Sequence, residues 1–341
     1  MTEPSLWTAG LDPATDWMFP SCPDDPKMRE SVSVWFFADD GSFAAPRLGV
    51  EAEAANWTDR LYQANMALPG GRVLVGPGRG PAPGTLDDHG RAAVLGAGPL
   101  SFTCLEPFRR WSVHFDGTAA DGHVTDQITG GLDQTRRSPV RLDLELEMAV
   151  PAWGQVVPDD GSDAQYMGVG YRFEQLFRAT GWVEVDGQRR KITGTGLRIH
   201  RQSKRELAGF RGHCWQSAVF PDGRAFGYIA YPPGDDWAKN GQLPYNEGYI
   251  WDGTRMIAAK VTQAPWLRRV VPEGADVSLV LESELGETRI EGSTVFSTFR
   301  MGNPDMGGLT LQQTGVRYRW DGMEAYGMLE RSANKSLVAI G

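Results

Sequence analysis

Arg141-Leu-Asp-Leu-Glu-Leu-Glu-Met148 decides how this chain is to be read. Leu142, Leu144, Leu146 and Met148 alternate with Asp143, Glu145 and Glu147. A period of two sends the apolar side chains to one face of a strand and the acids to the other. The three acids are then a solvated face, not a metal or acid–base site. The alternation recurs in both directions. Upstream it marks Glu30-Ser-Val-Ser-Val-Trp-Phe-Phe37 and strands near 44–53, 59–67, 70–76, 91–97, 99–105 and 109–116. Downstream it marks 170–178, 180–186, 188–200, 208–220, 224–231, 246–251, 254–263, 276–283, 286–298, 309–319 and 323–331. Asp-Gly pairs at 116–117, 121–122, 186–187, 222–223, 252–253 and 321–322 supply hairpin turns. No window of 12 residues has helical periodicity, and the best short case is 203–208. The fold class expected is all-β, with antiparallel up-and-down strands in two halves. Closing each half into a barrel or half-barrel hides its edges.

Residues 1–28, rich in Pro, Asp and Trp, read as an irregular arm. The alternation lapses again at 151–168, which predicts a first domain over 29–160 and a second over 161–341. The Gly/Pro stretch Gly76–Gly84 lacks the Gly-Lys-Ser/Thr ending of a phosphate cradle and reads as a surface loop. Trp111-Ser-Val-His-Phe-Asp-Gly and Val316-Arg-Tyr-Arg-Trp-Asp-Gly echo each other, as two related barrels would.

A length of 341 residues accommodates two such domains, and 41% hydrophobic with 23% charged residues describes a globular chain. A net charge of -9 argues against nucleic acid as the main partner. Three distant cysteines fit a reducing compartment better than a disulfide framework. The first residues lack the basic-then-apolar pattern of a secretion signal, and no apolar run reaches the roughly 18 residues of a membrane span. A cytoplasmic location is expected, with a homo-oligomer left open.

Gly-x-Ser-x-Gly, His-Glu-x-x-His, Cys-x-x-Cys and dinucleotide fingerprints are all absent, and the five histidines lack metal-ligand spacing. Chemistry is expected to use side chains alone, with no metal and no cofactor. The stretch Gly194–Tyr231 concentrates His and Arg in an otherwise acidic chain. Parity puts Arg198, His200 and Gln202 on one face of one strand, and Arg211, His213, Trp215 and Ser217 on one face of the next. Phe226 and Tyr228 share a face of the third. If the adjoining faces point into a barrel, they form one wall. In that wall His200 is the expected proton carrier, with an imidazole pKa near working pH, and Arg198 and His213 polarise a ligand oxygen. Trp215, Tyr228, Phe226 and Arg211, with Trp35 and Trp111, hold an elongated apolar ligand. The structural alternatives are a hydrogen-bonded strand histidine and an Arg198 paired with an acid. Glu174 shares its face with Arg172 and Arg178. It is an exposed ion pair if that face is wet, and a proton donor of raised pKa if it is buried.

Tyr171-Arg-Phe-Glu-Gln, Gly181-x-Val-x-Val-Asp-Gly and Gly194-Thr-Gly-Leu-Arg-Ile-His-Arg-Gln-Ser-Lys-Arg together resemble the calycin-related family of carotenoid 1,2-hydratases (hydroxyneurosporene synthases) and AttH-like proteins. Arg29-Glu-Ser-Val-Ser-Val, Trp111–Gly117 and Val316–Glu330 extend the resemblance over about 29–331. It implies two tandem lipocalin-like barrels with an apolar ligand between or within them. In the central strand Gly196, Arg198, His200 and Arg205 keep the family pattern, whereas Ser203 replaces a Gly, Ile199 an Asp, Arg201 a Ser and Gln202 a Trp. Without that Asp, the hydration of an isolated double bond does not transfer with the fold.

The resulting expectation is a cofactor-independent enzyme on a hydrophobic small molecule: a terpenoid, a steroid or an aromatic catabolite. It would act by acid–base chemistry at a double bond or acidic C–H, as a lyase (hydration or dehydration) or an isomerase or cyclase. The alternative is a non-catalytic carrier of the same ligand. A purely structural interaction module would instead have filled barrels and no enclosed cavity.

Overall fold

The computed structural model of the protein describes residues 6–157, 159, 162–232, 245–303 and 306–341. Its early strands are β1 (Met28–Ala38), β2 (Ala44–Glu53), β3 (Asp59–Ala67), β4 (Arg72–Val75), β5 (Gly78–Pro81) and β6 (Val94–Ala97). There follow β7 (Leu100–Glu106), β8 (Arg110–His123), β9 (Arg137–Met148), β10 (Trp153–Val157), β11 (Val169–Val185) and β12 (Gln188–Lys204). The remainder are β13 (Gly212–Val219), β14 (Ala225–Ala230), β15 (Asn246–Trp251), β16 (Met256–Gln263), β17 (Arg269–Val270) and β18 (Leu279–Ser283). The last are β19 (Gly286–Asn303), β20 (Leu309–Trp320), β21 (Met323–Asn334) and β22 (Ala339–Ile340). The fold is all-β, as expected.

Strands β13-β14-β15-β16-β18-β19-β20-β21 form a closed antiparallel barrel. The first twelve strands form one sheet whose pairings also return on themselves. β11 pairs β12, β12 pairs β1, β1 pairs β2, β2 pairs β3 and β3 pairs β4; β4 then pairs β8, β8 pairs β9, and β9 returns to β11. The first barrel is lined by the alternating residues of β9 (Leu142, Leu144, Leu146), with Val32, Val34, Phe36 and Phe115. The second is filled by Phe226, Tyr228, Tyr318 and Leu281. A third apolar cluster, including Trp35, Phe37, Leu197, Ile199, Trp215 and Met328, lies between the barrels, on the outer faces of both.

The sheets divide at residues 205–211, not at 151–168. The Pro- and Asp-rich stretch connects β10 to β11 within the first sheet, so the lapse in alternation there marks a loop and not a change of sheet. Two of the Asp-Gly pairs, 116–117 and 121–122, run straight through β8, whereas those at 186–187, 222–223, 252–253 and 321–322 separate strands as expected. Part of the Gly76–Gly84 loop is strand β5, paired to β3. Residues 203–208 are not helical. The one α-helix among the described residues is α1 (Val124–Thr129), too short to leave a periodic signature. His123 and Asp126 form its capping box, and Gly130 ends it in the left-handed conformation. No described helix is long and apolar enough to cross a membrane.

The close approach of β12 to its neighbours depends on glycine. A Cβ at Gly196 would collide with the Trp35 carbonyl of β1 and the Phe177 ring of β11. Gly196→Ala is expected to cost about 1–3 kcal/mol through this overpacking. Urea unfolding should show a lower midpoint at unchanged m-value.

Candidate functional site

Inward-facing residues of β12 meet the N-terminal arm inside the first barrel. Asp16, wholly buried, reaches in from the arm and accepts hydrogen bonds from Arg198 Nη1 at 2.7 Å, the Phe108 amide at 2.6 Å and Trp111 Nε1 at 3.1 Å. His200 Nδ1 lies 3.3 Å from Asp16 Oδ1, and His200 Nε2 lies 3.1 Å from Glu30 Oε1. With a carboxylate at each nitrogen, the ring is an imidazolium donating on both sides. Burial opposes that charge, but Asp16 and Glu30 outweigh it and hold the His200 pKa above its ordinary value. Burial likewise pushes the Asp16 carboxyl up, and is outweighed by Arg198 and His200, so its pKa lies below the ordinary value. Glu30 also accepts from the Phe19 amide and from Gln202. Arg198 donates to Gln175 at 2.6 Å and stacks over Trp111 at 4.3 Å.

The opposite face of the same strands builds the junction between the barrels. Glu174 and Arg172, both fully buried, stand 2.9 Å apart. Trp215 Nε1 of β13 donates to Glu174 Oε2 at 2.9 Å, while Glu174 Oε1 has no hydrogen-bond partner. Burial raises the Glu174 pKa, outweighing Arg172 and the Trp215 hydrogen bond. The Trp215 ring meets Trp35 edge-on at 4.9 Å and carries Arg172 over its face at 5.5 Å. Beside it, Phe210 contacts Tyr166, Tyr231 and His213, and Tyr231 contacts Tyr245. Arg201 projects from β12 onto this face with only 6% of its surface exposed. Two open clefts adjoin the junction and share Arg29, Glu53 and Arg205 in their walls. One, of about 850 Å³, also reaches Arg47 and Glu330; the other, of about 770 Å³, reaches Tyr166 and Lys204.

A chain of ion pairs ties the barrels together at the larger cleft. Arg29 pairs with Glu51 at 2.9 Å, Arg47 with Glu51 at 3.5 Å and with Glu330 at 3.4 Å, and Glu330 with His213 at 3.2 Å. Burial pushes the Glu330 carboxyl up, but His213 and Arg47 outweigh it and bring its pKa down to about 2. A depressed carboxylate pKa stabilises the fold above the unfolded value of about 4.3, and that contribution is lost as pH falls toward the folded value. Glu330→Gln should therefore lower the unfolding midpoint at pH 7, by about 1–3 kcal/mol, and converge with the parent near the lower end of the titration. Urea unfolding followed across pH checks this.

The structure thus divides the expected wall among three environments. His200, Arg198 and Trp111 lie inside the first barrel and border neither cleft. Glu174, Trp215, Trp35 and His213 come together at the junction and likewise border neither cleft. Phe226 and Tyr228 face the interior of the second barrel, where Tyr228 donates to Gln216 at 2.5 Å. Arg211 sits at the rim, exposed, pairing with Asp163 at 3.3 Å. The wall fails as a unit because β13 turns its His213–Trp215 face outward toward the first barrel, while β14 turns Phe226 and Tyr228 inward. Of the two accounts open for Glu174, the wet ion pair is excluded by its burial.

Asp16, Glu30, Arg201 and Glu330 were not singled out by sequence. Arg201 and Arg205 stand among the basic residues of Gly194–Tyr231, and parity separates Arg201 from Arg198. No local pattern connects Asp16 or Glu330 to the central strand.

Comparison with known proteins agrees with this architecture. Residues 12–335 match the family described as "Domain of unknown function (DUF7064)". No protein of curated function matches at the sequence level. Among solved structures, an AttH-like protein of Nitrosomonas europaea superposes over 95% of this chain and 99% of its own, at 14% identity and a TM-score of 0.55. CghA superposes over 90% of this chain and 89% of its own, at 11% identity, with TM-scores of 0.53 alone and 0.54 in a structure with Sch210972. Kievitone hydratase from Nectria haematococca covers 93% of each chain at 11% identity and a TM-score of 0.49. The AttH-like fold inferred from the sequence motifs is the fold found.

Proposed function

The chain belongs to the DUF7064 family, and from the junction of its barrels we propose a cofactor-independent enzyme acting by proton transfer on a hydrophobic small molecule. The observation that carries this reading is Glu174, a buried carboxyl of raised pKa set among Trp215, Trp35 and Tyr249. A carboxyl whose protonated form is favoured by burial can deliver its proton to a double bond or to a departing hydroxyl. Trp215 fixes one oxygen of the acid, and the other, Oε1, faces Arg172 Nη2 at 2.9 Å. Proton transfer from Glu174 to an alkene carbon leaves a cation, which indole faces stabilise. Loss of a neighbouring proton to the Glu174 carboxylate gives an isomer. Attack by water, with its proton passing to that carboxylate, gives a hydrate. Either route restores the acid.

This assigns the proton to Glu174 and not to His200, whose two nitrogens are both engaged inside the first barrel. Arg172 takes the polarising role at the junction, and not His213, whose nitrogens are likewise both engaged, by Ser332 at 2.8 Å and Glu330 at 3.2 Å. The hydrophobic body of the substrate rests on Trp35, Trp215 and the Tyr166–Phe210–Tyr231 cluster. CghA, which shares the fold, has been solved with Sch210972. That supports ligand binding on this architecture. Both barrel interiors are packed with side chains, as expected of a structural interaction module, so a ligand of either an enzyme or a carrier is assigned to the junction and not to a barrel interior.

The deciding experiment identifies a co-purifying lipophile by native mass spectrometry and incubates it with the protein in deuterated water. An enzyme introduces deuterium at a carbon of the reacting double bond. A carrier returns the compound unlabelled.

A further inference from the structure

The junction holds more positive charge than its acids balance. Arg29, Arg47, Arg172, Arg201 and Arg205 gather there, facing Glu51, Glu330 and Glu174. Glu51 and Glu330 are engaged by Arg29 and Arg47. Among the described residues the only carboxyl paired with Arg172 is Glu174. Arg205 spends its Nε on the Tyr166 carbonyl at 3.0 Å and has no carboxylate within ion-pair distance among the described residues. The Arg201 guanidinium makes neither a hydrogen bond nor an ion pair among them, and its Nε is buried without a partner. Arg172 Nη2 pairs with Glu174 Oε1 at 2.9 Å, while its Nε and Nη1 lack hydrogen-bond partners.

A buried guanidinium without a counter-charge is costly, and a fold gains nothing by keeping one unless a ligand completes it. Guanidinium forks match the oxygens of carboxylate and phosphate in geometry as well as charge. Arg29 and Arg205 line both clefts, whereas Arg172 and Arg201 line neither and stand close to them on the buried side. Burial, together with the neighbouring guanidiniums of Arg205 and Arg172, pushes the Arg201 pKa well below its ordinary value, the strain that an anion relieves.

We propose that the junction is an oxyanion site, in which Arg201, flanked by Arg172 and Arg205, seats the carboxylate or phosphate of a ligand whose apolar body lies on the adjoining aromatic residues. The proposal rests on the junction being the ligand site of the acid–base reading, and it narrows the substrate to an organic anion.

The test is made by binding alone, on the full chain, so that it is independent of turnover. 2-Naphthoate, its uncharged counterpart 2-naphthamide and inorganic phosphate are titrated by calorimetry and thermal shift, at ionic strength matched with chloride. Naphthoate is expected to raise the melting temperature and to bind at least tenfold tighter than the amide. A shift with phosphate but not naphthoate supports the site and assigns it to a phosphorylated ligand. Arg201→Met should lose the anion response by tenfold or more while melting at or above the temperature of the unliganded parent, and Arg201→Lys should recover part of the response. The proposal is overturned if neither anion shifts the melting temperature beyond the chloride control, or if Arg201→Met melts lower and binds naphthoate like the parent. Anion binding without deuterium exchange would retain this site and reject the acid–base reading.

Discussion

Asp16→Ala is expected to destabilise the protein by about 3–5 kcal/mol, the cost of removing one member of a buried ion network and leaving the others unpaired. The carboxylate accepts from Arg198, Trp111 and the Phe108 amide and faces His200, all without solvent. Its loss strands a guanidinium and an imidazolium inside the first barrel and releases the arm from the barrel it enters. The pH dependence has two limbs. The Asp16 pKa is lowered in the fold, so its contribution is present above the unfolded value of about 3.9 and is lost as pH falls through the folded one. The His200 pKa is raised, so its contribution is complete below about 6.5 and is lost as pH rises through the folded value. The parent should be most stable relative to Asp16→Ala between these limits, with the difference shrinking on both sides. Chemical unfolding from pH 3 to pH 10 measures it. A difference under about 1 kcal/mol throughout would show that the network is replaceable by water.

Glu174→Gln is expected to reduce turnover by about 10²–10⁴-fold, the usual contribution of a positioned proton donor. The substitution keeps the shape and can still accept the Trp215 hydrogen bond, but the amide has no acidic proton to give. Burial already opposes the Glu174 charge, so replacing it with an amide is expected to cost less than removing Asp16, and the unfolding midpoint should move less. Rate and stability then separate: the variant loses deuterium incorporation into the substrate while unfolding nearer the parent midpoint than Asp16→Ala does. His200→Gln supplies the contrast. It should lose stability first, and what remains folded should keep most of its rate. The reverse pattern, an active Glu174→Gln and a folded but inactive His200→Gln, would return the proton to His200.

Much of the architecture was legible because strand alternation is local. Leu142 through Met148 announces a wet and a dry face, and β9 has both. What one strand cannot state is which dry space its face borders. β12 is buried on both sides: Arg198 and His200 enter the first barrel, and Leu197, Ile199 and Arg201 face the second. Parity sorted those residues correctly and could not say which side was the junction. Glu174 was readable only as a conditional, since its pKa follows from burial that a partner 41 positions away, Trp215, helps to provide. Asp16 was lost for a related reason. It contacts residues 182 and 184 positions along the chain, and no periodicity connects an irregular arm to a strand so distant.

The division of the sheets at residues 205–211 bears on the order of assembly. Every strand of the first barrel precedes it and every strand of the second follows it, so neither barrel waits for a segment of the other to complete its ring of pairings. During synthesis the first ring can shut once Lys204 has emerged, its last long-range partner being Met28 at the start of β1. Its outer face then carries Trp35, Leu197, Ile199 and the arginines in water until the second ring arrives. Those cations keep an otherwise adhesive apolar face hydrated and mutually repellent between nascent chains, a service the same side chains perform before they have any ligand to hold.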